Sequence, residues 1–305
     1  MKQFFTIAIL SAFGMARIFA AETAAPLDGG HGRLILTELA SAPFPHPQRA
    51  DGHKYDGQVY TAADHYRDST VGIFIPKGFV EGERVDFVVH FHGWRNHVAR
   101  EITDYQLIDQ FVASGRNAVL VLPQGPRDAP DSFGGKLEDV GGFKRFMEEV
   151  TGVLRSQAGF KSAQIGRIIL SGHSGGYRVI AYSLAVGGLA DQVKEVWLFD
   201  ALYAETEKFA AWQKQTNGKL INLYTANGGT KGETEKWLGE LKARGTPVLV
   251  ADEEQATSKD IKNGRLIFLF TKLPHNDVVS VHHSFQGFLQ ASLLAGIPAS
   301  DGASH

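Results

Sequence analysis

The chain has 305 residues, of which 43% are hydrophobic and 21% charged, enough for one large domain with a sizeable core. A formal net charge of -2 points neither to a basic surface suited to nucleic acid nor to a global field for an acidic partner. The absence of cysteine excludes disulfides, thiolate nucleophiles and cysteine-held metals.

Lys2 precedes an apolar run over residues 4–10, and small residues follow up to Ala20 and Ala21. A basic start, a short apolar stretch and a small-residue zone make the pattern of a secretory signal peptide, with cleavage expected after Ala20. The run is short for a membrane span, and Arg17 interrupts it. An uncleaved anchor or a buried N-terminal helix is the alternative reading. Residues 21–32 are small, polar and glycine-rich and read as a flexible leader. Residues 33–305 are expected to form a single domain. The mature protein is expected to be secreted or periplasmic, without stable membrane insertion.

From residue 33 the chain alternates strand-like and helix-like blocks. Strands are expected at 34–37, at 70–75 before Pro76, and at 85–91. A helix over 98–113 leads to a buried strand at 118–122, ended by Pro123. Leu137, Val140, Phe143, Met147, Val150 and Leu154 recur in threes and fours, the spacing of an amphipathic helix. Strands at 167–171 and 193–199 flank a helix over 177–184. Helices at 205–215 and 233–244 alternate with strands at 220–224, 247–250 and 266–270, and a helix over 285–294 closes the chain. Such alternation predicts an α/β fold, a mainly parallel central sheet with helices on both faces. The connections are too short for a large lid domain. The irregular stretch 41–69 and the loop Asp131-Ser132-Phe133-Gly134-Gly135 are the expected rims of a cleft.

Between the strand at 167–171 and the helix at 177–184 lies Gly172-His173-Ser174-Gly175-Gly176. It fits G-x-S-x-G in the required strand, tight turn, helix context. A serine hydroxyl needs a base, usually a histidine, and a carboxylate to orient that base. His275, in the loop after the last strong strand, is the expected base; His282 and His283 are competitors nearer the final helix. Asp200, at the end of the strand after the elbow, is the first candidate acid, with an N-cap role as its plain alternative. Asp252 is the second candidate, and Asp277 stands too close to His275 in sequence to orient it easily. Phe91-His92-Gly93-Trp94 follows an early strand, as a loop supplying an oxyanion donor does. The expected donors are the N–H groups of Trp94 (or Gly93) and Gly175, with His92 bracing the loop and Trp94 walling the cleft. His90, His92 and His97 also allow a zinc reading, which needs further ligands; satisfied core histidines are the simpler account of His90. Tyr177, Tyr203 and Phe133 are candidate pocket aromatics or core residues.

Taken together, His92-Gly93, the G-H-S-G-G around Ser174, Asp200 and His275, in that order, resemble the α/β-hydrolase superfamily over nearly the whole mature chain. The resemblance implies esterase, lipase or peptidase activity on a small-molecule or polymer substrate, with no cofactor and no metal. An ester substrate is the first expectation; a peptidase, an amidase or a non-catalytic binding protein of this fold are the alternatives. In the family the acid more often sits one strand later. Here that strand runs into Thr225-Ala226-Asn227-Gly228-Gly229, without a carboxylate. Neither composition nor pattern sets an oligomeric state.

Overall fold

The computed structural model describes residues 27–298. The segment read as a signal peptide lies outside them, as do residues 21–26 of the expected leader. In chain order the elements open with β1 (Gly32–Glu38), β2 (His53–Tyr55), β3 (Gln58–Tyr60) and α1 (Ala62–His65). Next come β4 (Thr70–Pro76), β5 (Arg84–Phe91), α2 (Val98–Asp104), α3 (Leu107–Ala113), β6 (Val119–Pro123) and α4 (Gly142–Ala158). The elbow region is β7 (Gln164–His173) and α5 (Tyr177–Val186), followed by β8 (Val193–Phe199), α6 (Thr206–Thr216) and β9 (Lys219–Thr225). The chain then forms α7 (Lys231–Ala243), β10 (Leu249–Asp252), α8 (Ser258–Asn263), β11 (Leu266–Thr271) and α9 (Ser284–Ala291).

The described residues hold a 9-stranded sheet in the order β1-β4-β6-β5-β7-β8-β9-β11-β10. Only the pairings of β4, with β1 and with β6, are antiparallel; the rest are parallel. Strands such as Val119–Pro123 are apolar at every position because both faces are covered. Alternate residues serve two cores. Phe87, Val89 and Leu170 face α4, α5, α6 and α7, whereas Val88, Ile169 and Phe199 face α2, α3, α8 and α9.

The connections fix where a cleft opens. β5 connects leftward in the sheet to β6, through helices on one face. β7 connects rightward to β8 through α5, on the other face. Loops leaving the C-terminal ends of β5 and β7 therefore part company, and a crevice forms between them.

Four local differences from the sequence reading have physical causes. The helix expected over 98–113 breaks at Tyr105, because Gln106 takes a left-handed φ of 51° and the Gln110 side chain bonds the freed Tyr105 carbonyl at 2.7 Å. The helix expected from Leu137 starts at Gly142. Leu137 is buried in a separate short turn, and Val140 is 81% exposed between the two. The last helix stops at Ala291, short of 294. The stretch 41–69 contains the hairpin β2–β3, whose turn residues Asp56 and Gly57 have φ values of 47° and 74°, the mirror-image turn that matches strand twist.

This stretch is anchored by Arg49, which donates to both Asp131 oxygens at 2.6 and 3.1 Å and lies 4.7 Å over the Phe133 ring. Tyr66 donates to the same carboxylate at 3.1 Å. Burial alone raises the Asp131 carboxyl, but the Arg49 bonds and the Phe133 N–H outweigh it and hold it below its ordinary value. Arg49→Ala strands a buried carboxylate and is expected to cost about 3 kcal/mol in urea unfolding. A loss under about 0.5 kcal/mol, as for an ordinary surface change, contradicts this anchoring role.

Candidate active site

The register of the parallel strands sets the site. Phe91 of β5 pairs with Gly172 of β7, and His173 of β7 with Phe199 of β8. Ser174 and Asp200, the next residues, therefore leave adjacent strands at the same level, about 4.8 Å apart in the sheet direction. Both turn away through left-handed backbone, with φ of 52° and 44°. For Ser174 that conformation costs on the order of 1–2 kcal/mol and lifts the side chain off the sheet at the start of α5.

His275, in the loop after β11, completes a chain of hydrogen bonds. Its Nε2 lies 2.9 Å from Ser174 Oγ and its Nδ1 lies 2.7 Å from Asp200 Oδ2. The Asp200 carboxylate is buried, and it also accepts from the Thr225 N–H at 3.2 Å, the Thr225 hydroxyl at 2.8 Å and the Thr230 hydroxyl. Burial alone raises this carboxyl; the bonds from His275, Thr230 and Thr225 outweigh it and keep it below its ordinary value. A Cβ at Gly228 would lie 1.7 Å from Asp200 Oδ2, so only glycine lets the loop close over the carboxylate. Carboxylate, imidazole and hydroxyl in this series can turn a serine oxygen into a nucleophile.

The loop after β5 presses against the serine. A Cβ at Gly93 would stand 2.7 Å from Ser174 Cβ, and one at Gly175 would stand 2.5 Å from Trp94 Cδ1. Gly93, Trp94 and Gly175 thus gather around Ser174. Among the described residues the Trp94 backbone N–H has no backbone acceptor. His92 braces this loop: its Nδ1 donates to the Gly93 carbonyl at 2.8 Å, and its Nε2 accepts from the Gly125 N–H at 2.9 Å. Burial lowers the His92 pKa, which keeps the imidazole neutral in this role.

The zinc arrangement does not form. His90 bonds Ser171 and Glu101, His92 bonds the loop backbone, and His97 bonds Asp128. No cluster of three or more metal-capable side chains exists among the described residues. Asp252 is exposed at the end of β10, four strand steps from β7 and so about 19 Å away across the sheet. His282 pairs with Glu253 at 3.0 Å, and His283 precedes α9. Phe133 is core, packed with Phe44, Tyr60 and Tyr66. Tyr203 lines the cleft, with the Tyr177 ring 5.8 Å away.

Several contributors had no sequence signal as site residues, Thr225, Thr230 and Tyr105 among them. His173, the variable residue of the motif, is another. Its Nε2 donates to the His275 carbonyl at 2.9 Å, so Nδ1 is the acceptor and Tyr105 donates to it at 3.1 Å. The two imidazole rings lie 4.6 Å apart. Burial, then the neighbouring His275, push the His173 pKa down to about 3. Ser174, His275, His173 and Tyr105 line a cleft of about 660 Å³.

No protein-family model and no curated protein matches the chain. Solved structures do. The feruloyl esterase module from Clostridium thermocellum superposes with a TM-score of 0.51 at 11% identity, over 86% of this chain and 88% of that one. The fluorophosphonate-binding serine hydrolase F of Staphylococcus aureus gives 0.51 at 11% identity, over 86% of this chain and 100% of that one. This is the α/β-hydrolase fold. The likeness is one of fold, and it agrees with the mainly parallel sheet and two-sided helix layers described above.

The neutral, buried His173 couples stability to pH. The unfolded chain binds a proton at this histidine below its ordinary 6.5, while the folded chain refuses it down to about 3. The contribution of this group to stability is therefore full above pH 6.5 and is lost progressively as pH falls through this window. In His173→Gln, whose amide can still donate to the His275 carbonyl, melting temperature is expected to fall less steeply over that range. An unchanged slope overturns the assignment.

Proposed function

We propose that this chain is an exported serine hydrolase that cleaves carboxylic esters through an acyl-enzyme. The hydrogen-bonded series Ser174–His275–Asp200 carries the reading. The nearby esterase and serine hydrolase structures support it at the level of fold. In this reading Ser174 Oγ attacks the acyl carbon and gives its proton to His275 Nε2. The N–H groups of Trp94 and Gly175 take the developing oxyanion. His275 then protonates the departing alcohol, and water, activated by the same imidazole, releases the acid. Asp200 holds the imidazole in the tautomer with Nδ1 protonated and stabilises the imidazolium. The substrate side is a small-molecule or polymer ester. No helix among the described residues is long and apolar enough to cross a membrane.

The test is labelling with a fluorophosphonate together with turnover of short acyl esters and peptide amides. Wild type is expected to label and to hydrolyse esters, and Ser174→Ala to do neither. Asp200→Asn places an amide N–H₂ among groups that all donate, and its turnover is expected to fall by on the order of 10⁴. Asp252→Asn is expected to stay near wild type. A labelled Ser174→Ala, or full activity in Asp200→Asn, sinks the mechanism. Faster cleavage of amides than of esters moves the substrate class to peptides.

Export rests on the N-terminal pattern. In a bacterial host the full chain is expected in the extracytoplasmic fraction, beginning at Ala21. N-terminal sequencing that finds Met1 on cytoplasmic material rejects it.

A further inference from the structure

The cleft in front of Ser174 is lined by two unlike kinds of group. One is Trp94, 41% exposed although it is a large aromatic. Its ring is held in place: Nε1 donates to Ser132 Oγ at 2.7 Å, and Cδ1 lies against Gly175. Tyr55, at the tip of the hairpin β2–β3 and 39% exposed, meets it edge-on at 5.1 Å. The other kind is polar: Asn276, Asp277 and Ser280 line the same cleft. Arg95 and the pair Arg100–Asp104 complete the rim.

We propose that Trp94 and Tyr55 form a platform for a sugar ring, so that the ester cleaved is an O-acylated carbohydrate; this rests on the ester-hydrolase reading above. A pyranose has a face of C–H groups that packs on an aromatic ring and an edge of hydroxyls that both donate and accept. The lining of the cleft offers both kinds of surface. A long acyl chain needs apolar walls all round; here Asn276, Asp277 and Ser280 stand in the same lining as the rings of Trp94, Tyr105 and Tyr203. The fixed indole is already in its binding orientation, so little freedom is lost on contact. In the reaction the bond between acyl carbon and sugar oxygen breaks. The sugar oxygen takes the proton carried by His275, and water supplies the hydroxyl of the released acid and restores the proton to Ser174.

The experiment compares kcat/KM of the mature protein on acetyl esters that differ in the alcohol. The probes are mono-O-acetyl methyl xyloside, O-acetylated xylan, hexyl acetate and p-nitrophenyl acetate, with methyl cinnamate for an aromatic acyl group. At least one sugar ester is expected to exceed hexyl acetate and methyl cinnamate by about tenfold or more, a difference of about 1.4 kcal/mol. Preference between the xyloside and the xylan separates a free sugar from a polymer chain. Tyr55→Ala is expected to reduce the sugar-to-hexyl ratio by about tenfold, mainly through KM. Val59→Ala, on the same hairpin, is expected to leave the ratio unchanged. A preference for hexyl acetate or methyl cinnamate, or an unchanged ratio in Tyr55→Ala, overturns the platform while leaving the hydrolase reading intact. No turnover of any ester, p-nitrophenyl acetate included, defeats the hydrolase reading itself and the platform with it.

Discussion

A carboxylate taken out of water has to be paired, and the pairing of Asp200 organises this molecule. Its oxygens accept from Thr225, Thr230 and His275, which come from the end of β9, the start of α7 and the loop after β11. Leaving any of those donors away would strand charge in a low-dielectric setting. The carboxylate therefore holds the His275 ring by its Nδ1 and ties the end of β9, the start of α7 and the loop after β11 together. The strand after β8, which carries no carboxylate, supplies the hydroxyls and the Gly228 clearance that let the earlier strand carry one.

The opposite side of the site is built with neutral groups. His92 and His173 are both buried, both shifted down by burial, and each spends its N–H on a backbone carbonyl of a loop that touches Ser174. One holds the Gly93 loop and the other the His275 loop. A protonated imidazole in either place would put a positive charge near the Ser174–His275 pair, and burial keeps both neutral.

Much of this was legible in the residues. The parallel sheet followed from alternating apolar runs and helical spacings. The candidates Ser174, His275 and Asp200 followed from where a strand stops and what stands next to its end. What stayed hidden depended on distant contact. Nothing local marks Tyr105 as the partner of His173, because the break that positions it relies on Gln110 and a left-handed Gln106. The helix expected from Leu137 failed for a related reason: periodicity counted Val140, which tertiary packing leaves outside. The hairpin β2–β3 did carry a local mark, the Asp56-Gly57 pair, but its strands are short and mostly exposed and so lack the apolar alternation that usually reveals one.

The long reach of the His275 contacts has a bearing on how the chain becomes competent as it is made. Its bonds to Asp200 and Ser174 span 75 and 101 residues. The elbow strand, its helix and the Gly93 loop are all synthesised well before His275 emerges. Until β11 docks beside β9, neither the Asp200 nor the Ser174 bond to His275 can form. In the proposed mechanism the serine then has no base, so activity waits on the last stretch of the polypeptide.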